Sequence, residues 1–434
     1  MVKESILSGS LRSFRHKNFR LWFFASFLGN MGTWAQRIAQ YWLVLELTDD
    51  AFQLGIVAGL QSFPYIILSS FGGKLADRFS MRKMIICLNL SASLWAAILG
   101  TLVISGNAQI WHVYIIATLL GISSAIESPI TQSFLTQLVS PEDISNSISL
   151  RSVNFNTARL FGPAVSGFMI NAFGTGPSFL FNSISFVFVI SALALMKKED
   201  ISKVNPLREK VYIKEAIQYI KARPDLKALL LVVFCFGTFA ALPELFSATM
   251  ATKVFDKNAL DFGILGSCIA IGSISGSVLA TKFEWKPSTR SVIMCTCWWG
   301  VAIIISSLAP TYYLYALILP AYGAIMLITG ISALRTAQLG IDAAIRGRIM
   351  GIYISVSMGG VVFGAPLIGW VTEFFGPRQA VSSGGILTIF GSTFVYFRYR
   401  GRLEAPEDLS IGATLGKYPL EMVRIEYTQG TLRK

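Results

Sequence analysis

Twelve stretches of about 20 mostly apolar residues recur along the chain, and no other feature limits its fold so strongly. A helix rises 1.5 Å per residue and the hydrocarbon core of a bilayer is roughly 30 Å thick, so each stretch is long enough to cross it. They lie near 19–47, 52–75, 84–105, 110–137, 146–172 and 177–196, and then near 227–252, 260–281, 290–309, 311–337, 348–372 and 377–398. Unpaired backbone cannot face lipid, and the ten-residue alternation of a membrane β-barrel is absent, which leaves helices. Composition agrees: 14% of residues are charged, against about a quarter in soluble domains. The predicted fold is an all-α integral membrane protein, with twelve transmembrane helices in two pseudo-symmetric six-helix bundles.

The divisions that follow are a cytoplasmic N-terminal segment 1–18, a first bundle 19–196, a linker 197–226, a second bundle 227–398 and a cytoplasmic tail 399–434. The first stretch is too long for a cleaved leader and reads as a retained helix. Within the linker, Leu207–Ile220 places Val211, Ile213, Ala216, Ile217 and Ile220 among charges, the pattern of a short amphipathic helix at the membrane surface. Val423–Tyr427 in the tail has the character of a short strand.

The formal charge of +13 first suggests nucleic acid, but its placement excludes that partner. Of the 37 Lys and Arg residues, only Lys253, Lys257 and Arg378 fall in the loops of one side, while Arg37, Arg151, Arg159 and Arg335 lie in or at the ends of spans. All the others gather on the opposite side, together with both termini. Lys and Arg concentrate on the cytoplasmic side of membrane proteins, so both termini are expected there. Five cysteines without a CxxC pair and only two histidines, His16 and His112, give no disulfide framework, metal site or cofactor site. No nucleophile–base motif suggests an enzyme. No Gly-x4-Gly-Lys-Ser/Thr sequence is present to bind ATP as the energy source.

The two halves repeat one another. AFQLGI (51–56) precedes the second stretch and ALDFGI (259–264) the eighth; LADRF (75–79) and LATKF (279–283) close them. FGPAVSG (161–167) is answered by FGAPLIG (363–369), and Gly174 and Gly376 follow at equal spacing. Parallel six-helix repeats describe a transporter whose site lies between its halves near the membrane midplane.

GGKLADRFSMRK (72–83) resembles the signature loop of the major facilitator superfamily, with Gly73, Asp77, Arg78 and Arg82 at matching positions and Ser80 and Met81 departing from the pattern. WAQRIAQYWLVLELTDDAFQLGIV (34–57) and SLRSVNFNTARLFGPAVSGFMINAFG (149–174) are similar to its bacterial transmembrane secretion effector branch, which includes enterobactin-exporter-like and macrolide-efflux-like proteins. The resemblance implies a multi-pass protein of the bacterial inner membrane, monomeric, moving a small-molecule substrate with protons across the lipid bilayer. It implies that Gly73, Asp77, Arg78 and Arg82 form a cytoplasmic latch, for which a positive-inside anchor is the plain alternative. Gly162, Pro163 and Gly167 resemble an antiporter-associated motif of the fifth helix, although small residues at a packing seam explain them nearly as well.

An ionisable side chain within a span costs at least about 2.5–3.5 kcal/mol and calls for a partner or a wet cavity. Glu127 and Glu244 are the candidates to carry a coupling proton. Trp34, Arg37 and Arg159 are the candidates to line a substrate cavity. Glu127 and Arg159 both fall near mid-depth on consecutive helices, which predicts a salt bridge between them. Arg37 has Glu46 and Glu244 as possible partners. Trp34, Tyr41, Trp42, Trp298, Trp299, Tyr312, Tyr313 and Tyr315 read mostly as interfacial belts. The expected function is proton-driven export of small amphipathic molecules of drug, macrolide or siderophore type. Uptake, lysolipid flipping and a non-transporting receptor or assembly role are the alternatives.

Overall fold

A computed structural model describes residues 11–76, 79–197, 199, 201, 213–282, 288–338, 341 and 343–403. Among the described residues every regular element is helical. The first set comprises α1 (Lys17–Thr48), α2 (Ala51–Ala76), α3 (Met81–Ile104), α4 (Ile110–Gln137), α5 (Ile144–Phe173) and α6 (Gly176–Leu195). A short α7 (Ile213–Ala222) leads to the second set. That set comprises α8 (Pro224–Phe239), α9 (Pro243–Thr249), α10 (Ala259–Lys282), α11 (Thr289–Ser307), α12 (Tyr312–Gln338), α13 (Ala343–Phe375) and α14 (Pro377–Arg398).

Among the described residues ten helical segments are long and apolar enough to cross a membrane, with α8, α9 and the turn after them counting as one, Pro224–Val254. The two long helices outside that group are α1 and α5. Their polar residues bond to one another and to α6. Asn30 donates to Asn154 Oδ1 (3.0 Å), Asn154 to Phe23 O (2.7 Å), and Asn182 to Gln36 Oε1 (2.6 Å). At one end Thr175 donates to Glu46 (2.7 Å), and at the other Asn18 donates to Lys197 O (2.9 Å). Both ends of α1 therefore meet the ends of apolar α6, so α1 runs alongside it over its whole length. Internal hydrogen bonding lets so polar a helix lie inside a membrane bundle.

The expected seventh stretch is not one continuous helix. Pro243 has no N–H and disfavours helical geometry at the residue before it, so α8 stops and α9 begins afresh. Ala240 and Ala241 both donate to Phe236 O, and the Tyr322 hydroxyl donates to the freed Ala240 carbonyl (3.2 Å). A π-turn, Met250–Val254, follows α9.

The sequence repeat is realised as two equivalent crossings. A Cβ on Gly167 of α5 would lie 2.7 Å from the Ala259 carbonyl that opens α10, and one on Gly369 of α13 would lie 2.5 Å from the Ala51 carbonyl that opens α2. Each FG-containing motif thus seats on the start of the helix introduced by the other half's six-residue repeat. Gly174 (φ 82°) and Gly376 (φ 92°) then end α5 and α13 in conformations that side chains resist. Gly167→Val, and separately Gly369→Val, is expected to destabilise the protein by about 1–3 kcal/mol through overpacking. Thermal unfolding in detergent checks this: an unchanged midpoint counts against the close seam.

The aromatic belt forms only in part. Trp298 and Tyr313 are exposed, but Trp299, Tyr312, Tyr315 and Tyr41 are buried. Trp299 packs tilted against Phe236 (5.6 Å) and edge-on against Tyr322 (6.2 Å), so helix packing outweighs the interfacial preference. The α7 helix buries Ala216, Tyr219 and Ile220, and fully buried Arg223 after it bonds Asp225 (2.6 Å), at the start of α8. The rest of the amphipathic stretch and the strand expected at Val423–Tyr427 lie outside the described residues.

Candidate functional site

The candidate site is built where α1, α5, α9 and α10 meet. Trp34, Ile38, Arg159, Pro163, Glu244 and Ser247 line a narrow cleft there, with Phe262, Gly266 and Ile269 opposite. The Arg37 guanidinium carbon stands 5.0 Å from the Trp34 ring centre and that of Arg159 stands 5.1 Å from it. Trp34 is held in place because a Cβ on Gly162 would lie 2.5 Å from its own Cβ; only glycine lets α5 come so near. A cation over an indole face contributes about 0.5–2 kcal/mol, more as water is excluded.

Opposite these two cations stands one carboxylate. Arg37 pairs with Glu244 at 3.7 Å, with Arg37 half-buried and Glu244 more so. Arg159 lies within electrostatic reach of both. Of the two partners considered for Arg37, Glu46 is engaged elsewhere, accepting from Trp42 (2.7 Å) and Thr175 (2.7 Å). The cleft carries two positive groups and one negative group. Tyr41 and Tyr322 also lie within electrostatic reach of Glu244.

The predicted Glu127–Arg159 salt bridge does not form. Glu127 accepts a hydrogen bond from Asn89 (2.8 Å), whose amide also donates to Ile85 O (2.9 Å). α4 packs chiefly against α2 and α3, while α5 packs against α1 and α10, so equal depth does not bring the two side chains together. Among the described residues Glu127 has no ion-pair partner. A carboxylate held only by a neutral amide can take a proton without breaking an ion pair. Tyr65 lies within electrostatic reach of both Glu127 and Arg37, which relates the two polar places in the interior.

Gly162, Pro163 and Gly167 all lie at the seam. Pro163 faces Gly263 and Gly266 of α10, and Ser267 donates to Leu160 O (2.7 Å). Close packing accounts for all three, Gly162 against α1 within the first set and Pro163 and Gly167 against α10 of the second. Gly73 falls in α2, its surroundings outside the described residues, as are Asp77 and Arg78. Arg82, in the first turn of α3, donates to Ala194 O (2.8 Å) near the end of α6. A guanidinium is favoured at a helix C-terminus, so this contact suits an anchor. Arg335 likewise donates to Ala280 O (3.2 Å) on α10.

A clamp that the sequence reading missed sits at the same end. Buried Asp143, between α4 and α5, accepts from His16 (2.9 Å) and pairs with Arg12 (2.7 Å). The His16 hydrogen bond first, then the Arg15 and Arg12 charges, hold its carboxyl below the usual carboxylate range. A depressed carboxyl stabilises the fold above its unfolded value and loses that contribution as pH falls through its folded value. Tryptic cleavage at Arg12 or Arg15 is therefore expected to stay slow at neutral pH after brief exposure to pH 5, and to become fast in Asp143→Asn. Equal cleavage in the two proteins counts against the clamp.

The fold and cleft define a membrane transporter: helices in two related sets, with a charged cleft where they meet. The chain belongs to the transmembrane secretion effector family, which it matches over residues 8–425. It is 28% identical over 397 residues to the staphyloferrin A transporter of Staphylococcus aureus (strain NCTC 8325 / PS 47), covering 87% of this chain and 95% of that one. It is 19% identical over 396 residues to the enterobactin exporter EntS of Shigella boydii serotype 18, covering 90% and 94%. The fold is similar to the inward-facing, unoccupied structure of a bacterial homologue of the human lysosomal transporter Spinster. There the TM-score is 0.68 at 14% identity, over 90% of this chain and 98% of that one. These are transporters, not enzymes.

Proposed function

We propose that this protein exports small amphipathic molecules bearing an anionic group, by alternating access, while protons move the other way. The observation that carries the reading is the pair of guanidinium groups, Arg37 and Arg159, on one indole, opposed by the single carboxylate of Glu244. A planar or aromatic substrate body suits Trp34, and its anionic group suits the unbalanced positive charge. The roles of the relatives, transport of staphyloferrin A and export of enterobactin, support a siderophore-type substrate and the outward direction.

In this reading the moving units are the bundles 19–196 and 227–398, joined by the 197–226 linker. The basic loops and both termini face the bacterial cytoplasm, and the chain works as a monomer in the inner membrane. Glu127 carries the coupling proton, because its neutral partner leaves it free to gain and lose one. Asp77, Arg78, Arg82 and Gly73 serve as the cytoplasmic latch.

The test is uptake into inverted vesicles under an imposed pH gradient, using a panel of amphipathic anions, their neutral esters and amphipathic cations. Gradient-dependent uptake of the anions is expected. Uptake of cations alone overturns the substrate class, and movement indifferent to the gradient overturns the antiport.

A further inference from the structure

Arg37 and Glu244 belong to different sets of helices, α1 and α9, so their 3.7 Å pair is a tie between the halves. The α9 helix is only seven residues long, cut off before Pro243 and followed by the π-turn. That turn carries Lys253. Its ammonium donates to the Asp49 carbonyl (2.7 Å) at the end of α1 and to Glu373 (2.9 Å) near the end of α13. Glu373 also accepts from the Ala51 backbone N–H (3.1 Å). One short segment thus bears a carboxylate facing the cleft and, nine residues on, an ammonium that fastens the end of the molecule away from the basic loops.

We propose that Glu244 is a displaceable counterion through which anion binding opens that fastened end. The inference rests on reading the cleft as an anion site. An anionic group lodged between Arg37 and Arg159 takes the place Glu244 holds at Arg37, and its charge repels the carboxylate. Released from α1, α9 moves and draws Lys253 from Asp49 and Glu373.

The same charge arithmetic separates the two carboxylates. A proton on Glu244 also frees Arg37, so proton and anion favour each other there instead of competing. That holds with the other groups within electrostatic reach of Glu244, namely Tyr41 on α1, Arg159 on α5 and Tyr322 on α12. Exchange of anion against proton needs the opposite coupling, so Glu244 is not assigned the exchanged proton.

Spin labels at exposed Asn107 and Tyr313, in a background without the five native cysteines, report the gap across the fastened end of the full chain in lipid nanodiscs. Without ligand, Glu244→Gln is expected to raise the long-distance population several-fold, as Lys253→Gln does, while Glu244→Asp keeps the closed distribution. Naphthalene-2,6-dicarboxylate is expected to have the same opening effect on the unchanged protein, and its dimethyl ester none. Closed distances in Glu244→Gln alongside an open Lys253→Gln overturn the inference. So does a dicarboxylate that binds without moving the labels. If Glu244→Gln opens the end but neither the dicarboxylate nor any anion of the vesicle panel binds, the anion reading of the cleft is overturned instead.

Discussion

Glu127→Gln is expected to lower transport driven by a pH gradient to the rate seen without one, while exchange of labelled for unlabelled substrate continues. Gln keeps the size of the side chain and its acceptor oxygen for Asn89, which donates to Glu127 at 2.8 Å, so the local packing survives. What it removes is the ability to hold a proton. The expectation follows from the surroundings: Asn89 is neutral, and no described cation neutralises Glu127 within the fold. A carboxylate tied to Arg159, as the sequence suggested, could be protonated only by stranding a buried guanidinium, a change that typically costs several kcal/mol. Parallel measurement of driven uptake and exchange in proteoliposomes decides the point. Loss of both marks Glu127 as structural, and survival of both removes it from the coupling.

Arg159→Ala and Arg37→Ala should each weaken binding of anionic substrates strongly. A hydrogen bond to a charged group is worth about 1.5–3 kcal/mol, roughly 10- to 100-fold in affinity. Arg159→Ala should cost more at the cleft, because the Arg37 that remains is already paired with Glu244, whereas the Arg159 left by Arg37→Ala has no ion-pair partner among the described residues. Arg159→Lys should recover part of the loss, since the charge returns without the planar face that lies on Trp34. Trp34→Phe should lower affinity for aromatic anions about twofold to tenfold, from an indole contribution of about 0.5–1.5 kcal/mol. Calorimetric or fluorescence titration with the anion and its ester checks each case. An equal loss for both compounds points to a damaged fold, whereas a loss confined to the anion identifies the charge contact.

Some of this arrangement is legible in the chain as letters. The FGPAVSG and FGAPLIG motifs and the AFQLGI and ALDFGI segments mark the seam, because only residues without bulk allow a helix to meet the carbonyls of its neighbour. The pairing of Arg37 with Glu244 was among the open alternatives. The Asp143 clamp and the Lys253 tie were not anticipated, since each joins residues more than 100 positions apart through loops with no periodic pattern. Asn89 carried a signal that was overlooked: an amide in the apolar stretch 84–105 needs a partner, and a carboxylate in the next stretch supplies one.

Hydropathy and charge placement by themselves determined that this chain is a multi-pass helical membrane protein with a doubled architecture. Length and apolarity mark segments able to cross a membrane, and twofold repetition follows from matched motifs. They also gave the depth at which each ionisable side chain lies. Only the tertiary structure decided which of those side chains meet. Depth is one coordinate, and partners are set by the rotation of each helix and by its neighbours. α5 turns Arg159 towards Trp34 and Glu244, and α4 turns Glu127 towards Asn89.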